Sequence, residues 1–167
     1  LGVGLVAGYS FATTYDFFAT YKADASSVLP KDKRWNAAWA VGLGWTVSQY
    51  PFLKDNKFIT RLILKASYGQ MANLAGVSAS STIGTFSYST SYYGNARLLQ
   101  LAELYNTDLK PEQTITTDFS LSVEFFKRLT LDANIYRRET TDALLDVPVP
   151  LSNGFSTMKR NIGILRN

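Results

Sequence analysis

Cysteine and histidine are both missing from these 167 residues. That removes disulfides and thiolate chemistry. It also leaves Ser-His and Cys-His nucleophilic pairs and the usual zinc ligand sets without side chains to build them. No catalytic residue, metal or cofactor is therefore expected, and no enzymatic function. Charge is sparse too: Asp, Glu, Lys and Arg make up 18% of the chain, for a net charge of +4. The basic residues are scattered, without the stripe and interleaved stacking aromatics of a nucleic-acid surface, so nucleic acid is not an expected partner. No apolar run approaches the ~20 residues a membrane-crossing helix needs. Nor does any segment carry the i, i+3, i+4 spacing of a long helix.

The opening "LGVGLVAGYS" lacks the basic n-region and cleavage pattern of a signal peptide, and it lacks an initiator Met. The closing "NIGILRN" stops inside what reads as a strand. These features give the expectation of an internal piece of a longer protein.

What the chain does have is a profile rich in aromatics, Gly, Ser and Thr, with alternation of period two. Leu1, Val3, Leu5, Ala7, Tyr9 and Phe11 alternate with Gly and Ser, Val6 being the exception. Phe17–Asp24 repeats the pattern. The most regular segment sets Trp35, Ala37, Trp39, Val41, Leu43, Trp45 and Val47 against Asn36, Ala38, Ala40, Gly42, Gly44 and Thr46. Phe58–Gly69 follows. After a long Ser/Thr/Tyr/Gly/Asn-rich connection, a hairpin places Phe119, Leu121 and Val123 opposite Asp118, Ser120, Ser122 and Glu124. It returns through Leu129, Leu131, Ala133 and Ile135. A second loop, about 141–157, precedes a last short strand. Within the long connection, "NARLLQLAELYN" suits a short helix or a strand.

The fold class expected is all-β, with seven antiparallel up-and-down strands. At about 9–13 residues they exceed the ~5–6 usual in soluble sheets and match tilted membrane-spanning strands. Polar faces of Gly, Ser, Thr, Asn and Ala carry only isolated charges, and aromatics gather near strand ends at Tyr9, Phe11, Phe17, Trp35, Trp45, Tyr68 and Phe125. The ten-residue step from Trp35 to Trp45 spans ~33 Å, or ~25 Å once tilted, the height of an outer-membrane apolar band. Trp39 lies between them. The turns at Thr14–Asp16, Ser48–Asn56 and Lys127–Arg128 then belong to the periplasmic side. The loops at Ser26–Arg34, Ala72–Pro111 and Thr141–Thr157 belong outside. Seven strands leave an unsatisfied edge in lipid, so a larger barrel is required. A soluble all-β carbohydrate-binding or adhesin module, with its apolar face buried, is the alternative.

Several segments resemble the SusC/RagA family of TonB-linked outer-membrane transporters. They are "FFATYKADASSVLPKDKRWNAAWAVGLGWTVSQYPFL", "LILKASYGQMAN", "YNTDLKPEQTITTDFSLSVEFFKRLTLDANIYRRETTDALLDVPVP" and "GFSTMKRNIGILRN". Together they cover nearly the whole chain apart from about residues 77–100. Ala25 stands where the family usually has Gly, and Pro111 where Trp is common. The resemblance implies that residues 1–167 are part of the later wall of a 22-stranded β-barrel, without plug or Ton box. It further implies import of oligosaccharides or peptides across the outer membrane of a Bacteroidetes-type Gram-negative cell. A SusD-like surface lipoprotein would be the partner, with TonB engaged through the absent N-terminal region and outer-membrane lipid around the wall.

On this reading Lys22, Asp24, Arg61, Lys65, Asp118, Glu124, Asp132 and Arg138 face the lumen. They either touch substrate or plug or, more plainly, keep the wall wet and in register. Trp39, Leu43, Trp45, Phe119, Leu121, Leu129 and Leu131 face lipid. Nothing in the sequence places Asp118 and Asp132 at the spacing of a glycosidase pair, and two polar positions on adjacent strands are ordinary. "FSYSTSYYGN" suits sugar stacking or lid contact as well as a plain hydrated loop. "SVLPKDKRW" suits either lipopolysaccharide phosphates or a solvated charged tip, and "SASS" reads only as loop composition.

Overall fold

The alternation is realised as pleated strands, whose side chains point to opposite faces in turn. The computed structural model describes residues 1–54 and 56–167. Seven strands form one antiparallel sheet: β1 Gly2–Phe11, β2 Tyr15–Ala25, β3 Trp35–Thr46, β4 Ile59–Asn73, β7 Glu112–Phe125, β8 Leu129–Thr141 and β11 Ile164–Arg166. They neighbour one another in chain order. The two longer excursions form separate hairpins, β5 Phe86–Tyr93 with β6 Ala96–Leu101 and β9 Leu144–Pro148 with β10 Thr157–Asn161. The expected seven-stranded meander is therefore present.

Several boundaries differ from expectation. β4 continues to Asn73, so Tyr68 stands well inside its strand. Val47 leaves the sheet for a single 3-10 turn, Val47–Gln49, and is buried there. Of the two readings left open for "NARLLQLAELYN", the strand holds over Ala96–Leu101, which is β6 paired with β5. The first tight turn begins at Ala12 and closes with the Thr14 N–H donating to Phe11 O (3.1 Å). The last begins at Phe126 and closes with the Arg128 N–H donating to Phe125 O (3.0 Å). Both were expected further along the chain. Asp55, inside the expected Ser48–Asn56 turn, lies outside the described residues.

The register gives the strand tilt. The turn-proximal pair Phe11↔Tyr15 continues across the sheet as Trp45, Leu64, Leu121 and Ala133. On reaching β7 the row meets Leu121, four positions before the next turn-proximal pair, Phe125↔Leu129. Four strand steps separate the two hairpins, so the stagger is one residue per strand. With a rise of ~3.3 Å and a strand spacing of ~4.8 Å, this corresponds to a tilt of about 35° when both turns share one level. That tilt is in the range of closed β-barrels, membrane barrels among them.

Almost nothing is packed across the sheet. The buried hydrophobic side chains are Leu29, Val47, Leu109, Val123 and Ala143, and Leu29 and Leu109 lie in loops. The accessible surface is 11751 Å², whereas a compact monomer of this mass exposes about 8,200 Å². The difference is a sheet with both faces open.

Candidate functional site

Directly paired residues share a face in an antiparallel sheet. The register sets Lys22, Asp24, Arg61, Lys65, Asp118, Glu124, Asp132 and Arg138 on one face. It sets Trp39, Leu43, Trp45, Phe119, Leu121, Leu129 and Leu131 on the other. The second face is open: Leu43 is 60% and Ile135 75% exposed.

The polar face forms a trough whose floor is β3, with Ala38, Ala40, Gly42 and Gly44 presenting almost no side chain. The glycines have a packing reason. The Phe18 ring lies across Gly42, and a Cβ on Gly69 would meet Ala40 Cβ at 2.8 Å and Trp39 O at 2.9 Å. Phe18, like Val6 and Ile63, is an apolar residue on this face by register, and the alternation had not singled out Phe18 or Ile63. A hollow of about 480 Å³ is lined by Asp16, Phe18, Arg61, Lys65, Asp118 and Ser120, among others. Ser10 Oγ donates to Asp16 Oδ1 (2.6 Å), Ser67 Oγ to Asp118 Oδ2 (3.4 Å) and Ser120 Oγ to Asn134 Oδ1 (3.1 Å). Lys22 Nζ pairs with Asp24 Oδ2 at 2.7 Å. Charges of both signs and hydroxyls are thus spread along this face, a surface suited to polar contacts. Asp118 pairs with Tyr136, four positions along β8 from Asp132, which separates the two carboxylates by ~13 Å. Among the described residues no His/Cys/Asp/Glu cluster could hold a metal ion.

Above the trough, at the end opposite the tight turns, the loops form a packed platform. Here are the fully buried side chains Leu29, Leu109, Thr82 and Ser81. Ser78 caps the short helix Ala79–Ile83 in a reciprocal capping box with Ser81, so the "SASS" run carries a defined structure. Ser78 and Ser80 both donate to Glu103, and Thr82 Oγ1 donates to Val28 O (2.5 Å). Lys33 Nζ donates to Thr107 O (3.2 Å) and pairs with Asp108 (3.1 Å), while Arg34 Nε donates to Leu29 O (3.2 Å). Two of the cations in "SVLPKDKRW" are thus engaged in bracing loops. Asn161 straps the platform: its Nδ2 donates to Lys110 O and Asp142 O (both 2.8 Å), and its Oδ1 accepts from the Lys110 N–H (2.8 Å). The β5–β6 hairpin carries exposed Phe86, Tyr88, Tyr93 and Leu99, with Arg97 Nε donating to Tyr92 Oη (3.0 Å). The platform had no local signal in the sequence beyond the Ser78/Ser81 spacing, since its partners are far apart along the chain.

At the turn end, aromatics cluster. Tyr15 stacks on Trp45 (6.4 Å between centroids), Trp45 meets Tyr50 edge-on (6.2 Å), and Phe58 meets Phe126 (5.5 Å). This is the composition of an interfacial girdle.

The family model described as "TonB dependent receptor-like, beta-barrel" matches residues 3–166. The chain is 31% identical over 166 residues to a TonB-dependent receptor of Formosa agariphila, covering 96% of this chain and 15% of that protein. It is 30% identical over 170 residues to TonB-dependent receptor SusC of Bacteroides thetaiotaomicron, covering 95% and 17% respectively. Among solved structures it is similar to the RagAB peptide importer in its "closed-closed" state, with a TM-score of 0.88 at 25% identity, covering 99% of this chain and 18% of that one. The chain therefore spans about a sixth of the length of the proteins it matches.

Proposed function

The chain belongs to the TonB-dependent receptor β-barrel family, and we propose that it forms part of the wall of an outer-membrane active transporter. One observation carries this reading. The sheet is a chain-order meander with a stagger of one residue per strand, one polar face, and one apolar face that none of the described residues covers. In lipid the apolar face is solvated by acyl chains, and strand closure elsewhere in the barrel satisfies the edges.

The polar trough lines the lumen, so Lys22, Asp24, Arg61, Lys65, Asp118, Glu124, Asp132 and Arg138 stand along a water-filled path. Trp39, Leu43, Trp45, Phe119, Leu121, Leu129 and Leu131 face lipid. Residues 1–167 contribute wall and outer loops, and the plug and Ton box lie in other parts of the protein. The loop platform is the outer mouth, where a SusD-like surface lipoprotein sits, and TonB supplies energy from the periplasm. The cargo is an oligosaccharide or a peptide. Both classes fit a wall of alternating charges and hydroxyls, and relatives named for SusC and for peptide import support them. A Bacteroidetes-type outer membrane is the setting suggested by those relatives. A soluble carbohydrate-binding or adhesin module would need a second layer over Leu43, Phe119 and Leu131, and none of the described residues supplies it.

The test is site-directed labelling in the full-length transporter. Nitroxides on Leu43→Cys and Phe119→Cys should be accessible to oxygen and shielded from a water-soluble nickel complex. Labels on Lys65→Cys and Asp118→Cys should show the reverse. Equal nickel accessibility on both faces would reject the barrel-wall reading. Uptake that persists after TonB is deleted would reject active transport.

A further inference from the structure

The polar face is not uniform from one side of the sheet to the other. On β7, which has a paired strand on each side, it carries Thr114, Thr116, Asp118, Ser120, Ser122 and Glu124. On β8 it carries Thr130, Asp132, Asn134, Tyr136, Arg138 and Thr140. No aliphatic side chain interrupts either column. Across β2, β3 and β4 the same face has another character. Three large apolar side chains rise from it, Phe18 on β2 and Ile63 and Met71 on β4. Between them lies a floor of Ala38, Ala40, Gly42 and Gly44 on β3, continued by Gly69 on β4.

The two halves respond differently to being covered. Phe18 is 43% and Met71 59% exposed, and no described residue lies over them. Apolar surface of this kind gains from leaving water, and a glycine floor lets another backbone approach closely. On β2 the charged groups already have partners: Lys22 Nζ pairs with Asp24 Oδ2 (2.7 Å), and Asp16 Oδ1 accepts from Ser10 Oγ (2.6 Å). Arg61 and Lys65, on β4, border the β7 column. On β7 itself, Asp118 accepts from Ser67 Oγ (3.4 Å), and Thr114 Oγ1 meets Thr140 Oγ1 (3.0 Å). Thr116, Ser122 and Glu124 make no side-chain hydrogen bond among the described residues, although paired strands flank them on both sides. A packed element laid over them would strand their polar atoms away from water, a cost that covering Phe18 or Met71 does not carry.

We infer that the inner face of β2–β4 is the seat of the plug, and that the inner face of β7 stays in water beside it. The hydrated path through the barrel then runs along one side of this wall. The occupant is another part of the same protein, because the face points inward and the matching relatives are far longer than residues 1–167. This rests on the barrel-wall reading, and the two are separable by experiment. Ala38 on β3 and Thr116 on β7 stand at one level once the stagger of one residue per strand is counted. In the full-length transporter, carrying no other cysteine, Thr116→Cys should react with a water-soluble methanethiosulfonate roughly tenfold faster than Ala38→Cys or more, since a covered thiol waits for local opening. A photoreactive p-benzoylphenylalanine in place of Phe18 should cross-link to the plug, and one in place of Tyr136 should not. A nitroxide on Leu43→Cys would report the premise in the same membranes. With that label in lipid, equal thiol rates overturn the division of the wall, as do equal cross-links to the plug from both positions. A cross-link from position 18 to any other part of the protein, or to nothing, overturns the plug as occupant. In each of these cases the wall reading stands. If the Leu43 label sits in water, both fail.

Discussion

Ala12, Thr13, Phe126 and Lys127 all have positive φ, between 52° and 56°. None is glycine, although the left-handed region costs an L-residue about 1–2 kcal/mol. Tight hairpins favour this sense because it matches the strand twist. Phe126 gains contact with Phe58 in return, whereas Lys127 is exposed. Lys127→Gly should therefore stabilise the folded barrel by about 1 kcal/mol, read as a higher urea midpoint for folding into vesicles. Gly42 is the opposite case, since its missing side chain is the space the Phe18 ring occupies. Gly42→Val should cost about 1–3 kcal/mol by overpacking. The Phe18→Ala/Gly42→Val double variant should recover part of that loss. Unaltered stability in Gly42→Val would show that the ring moves freely. Nothing in the alternation pattern marks Phe18 as the occupant of that space. Strand pairing, not local sequence, brings it to Gly42.

At the scale of elements, the wall strands and the loops obey different rules. Each wall strand is specified locally by alternating residues and is held by ladder hydrogen bonds to its chain neighbours. The excursions between β4 and β7 and between β8 and β11 are held by side chains reaching across long separations. Asn161 to Lys110 and Lys33 to Asp108 are examples. Asn161→Ala removes three hydrogen bonds, at about 0.5–1.5 kcal/mol net for each. It should loosen the β9–β10 hairpin without moving the sheet. Hydrogen exchange at the Lys110 and Ile162 amides should rise roughly tenfold or more, with exchange in β7 unchanged. Equal acceleration in both would mean that platform and wall unfold as one unit. The wall was therefore legible in the sequence, strand by strand. Of the platform, only its existence as long polar loops was legible, because hydrogen bonds between residues fifty or more positions apart leave no periodic trace.

For the whole molecule, the decisive quantity is the uncovered apolar face. Charged substitutions there should be penalised by depth. Leu121 lies four positions above the turn pair at Phe125, ~11 Å above the turn level. Leu121→Arg should cost about 2–4 kcal/mol of folding stability in vesicles, as expected near the midplane. Ser120→Arg, one residue away on the trough face, should cost under about 1 kcal/mol. Similar penalties at both positions would contradict the assignment of faces.

The sequence by itself determined which segments are strands, which residues share a face and, through its resemblance to a known family, the class of barrel. Those properties are periodic or motif-bound, and each is written within a dozen neighbouring residues. The tertiary structure decided the stagger between strands, and with it the tilt. It also decided the height of each side chain relative to the turns, the filling of Gly42 by Phe18 and the joining of distant loops into one platform. Register between strands depends on which residue meets which across the ladder. Phe18 met Gly42 only when β2 and β3 were set side by side.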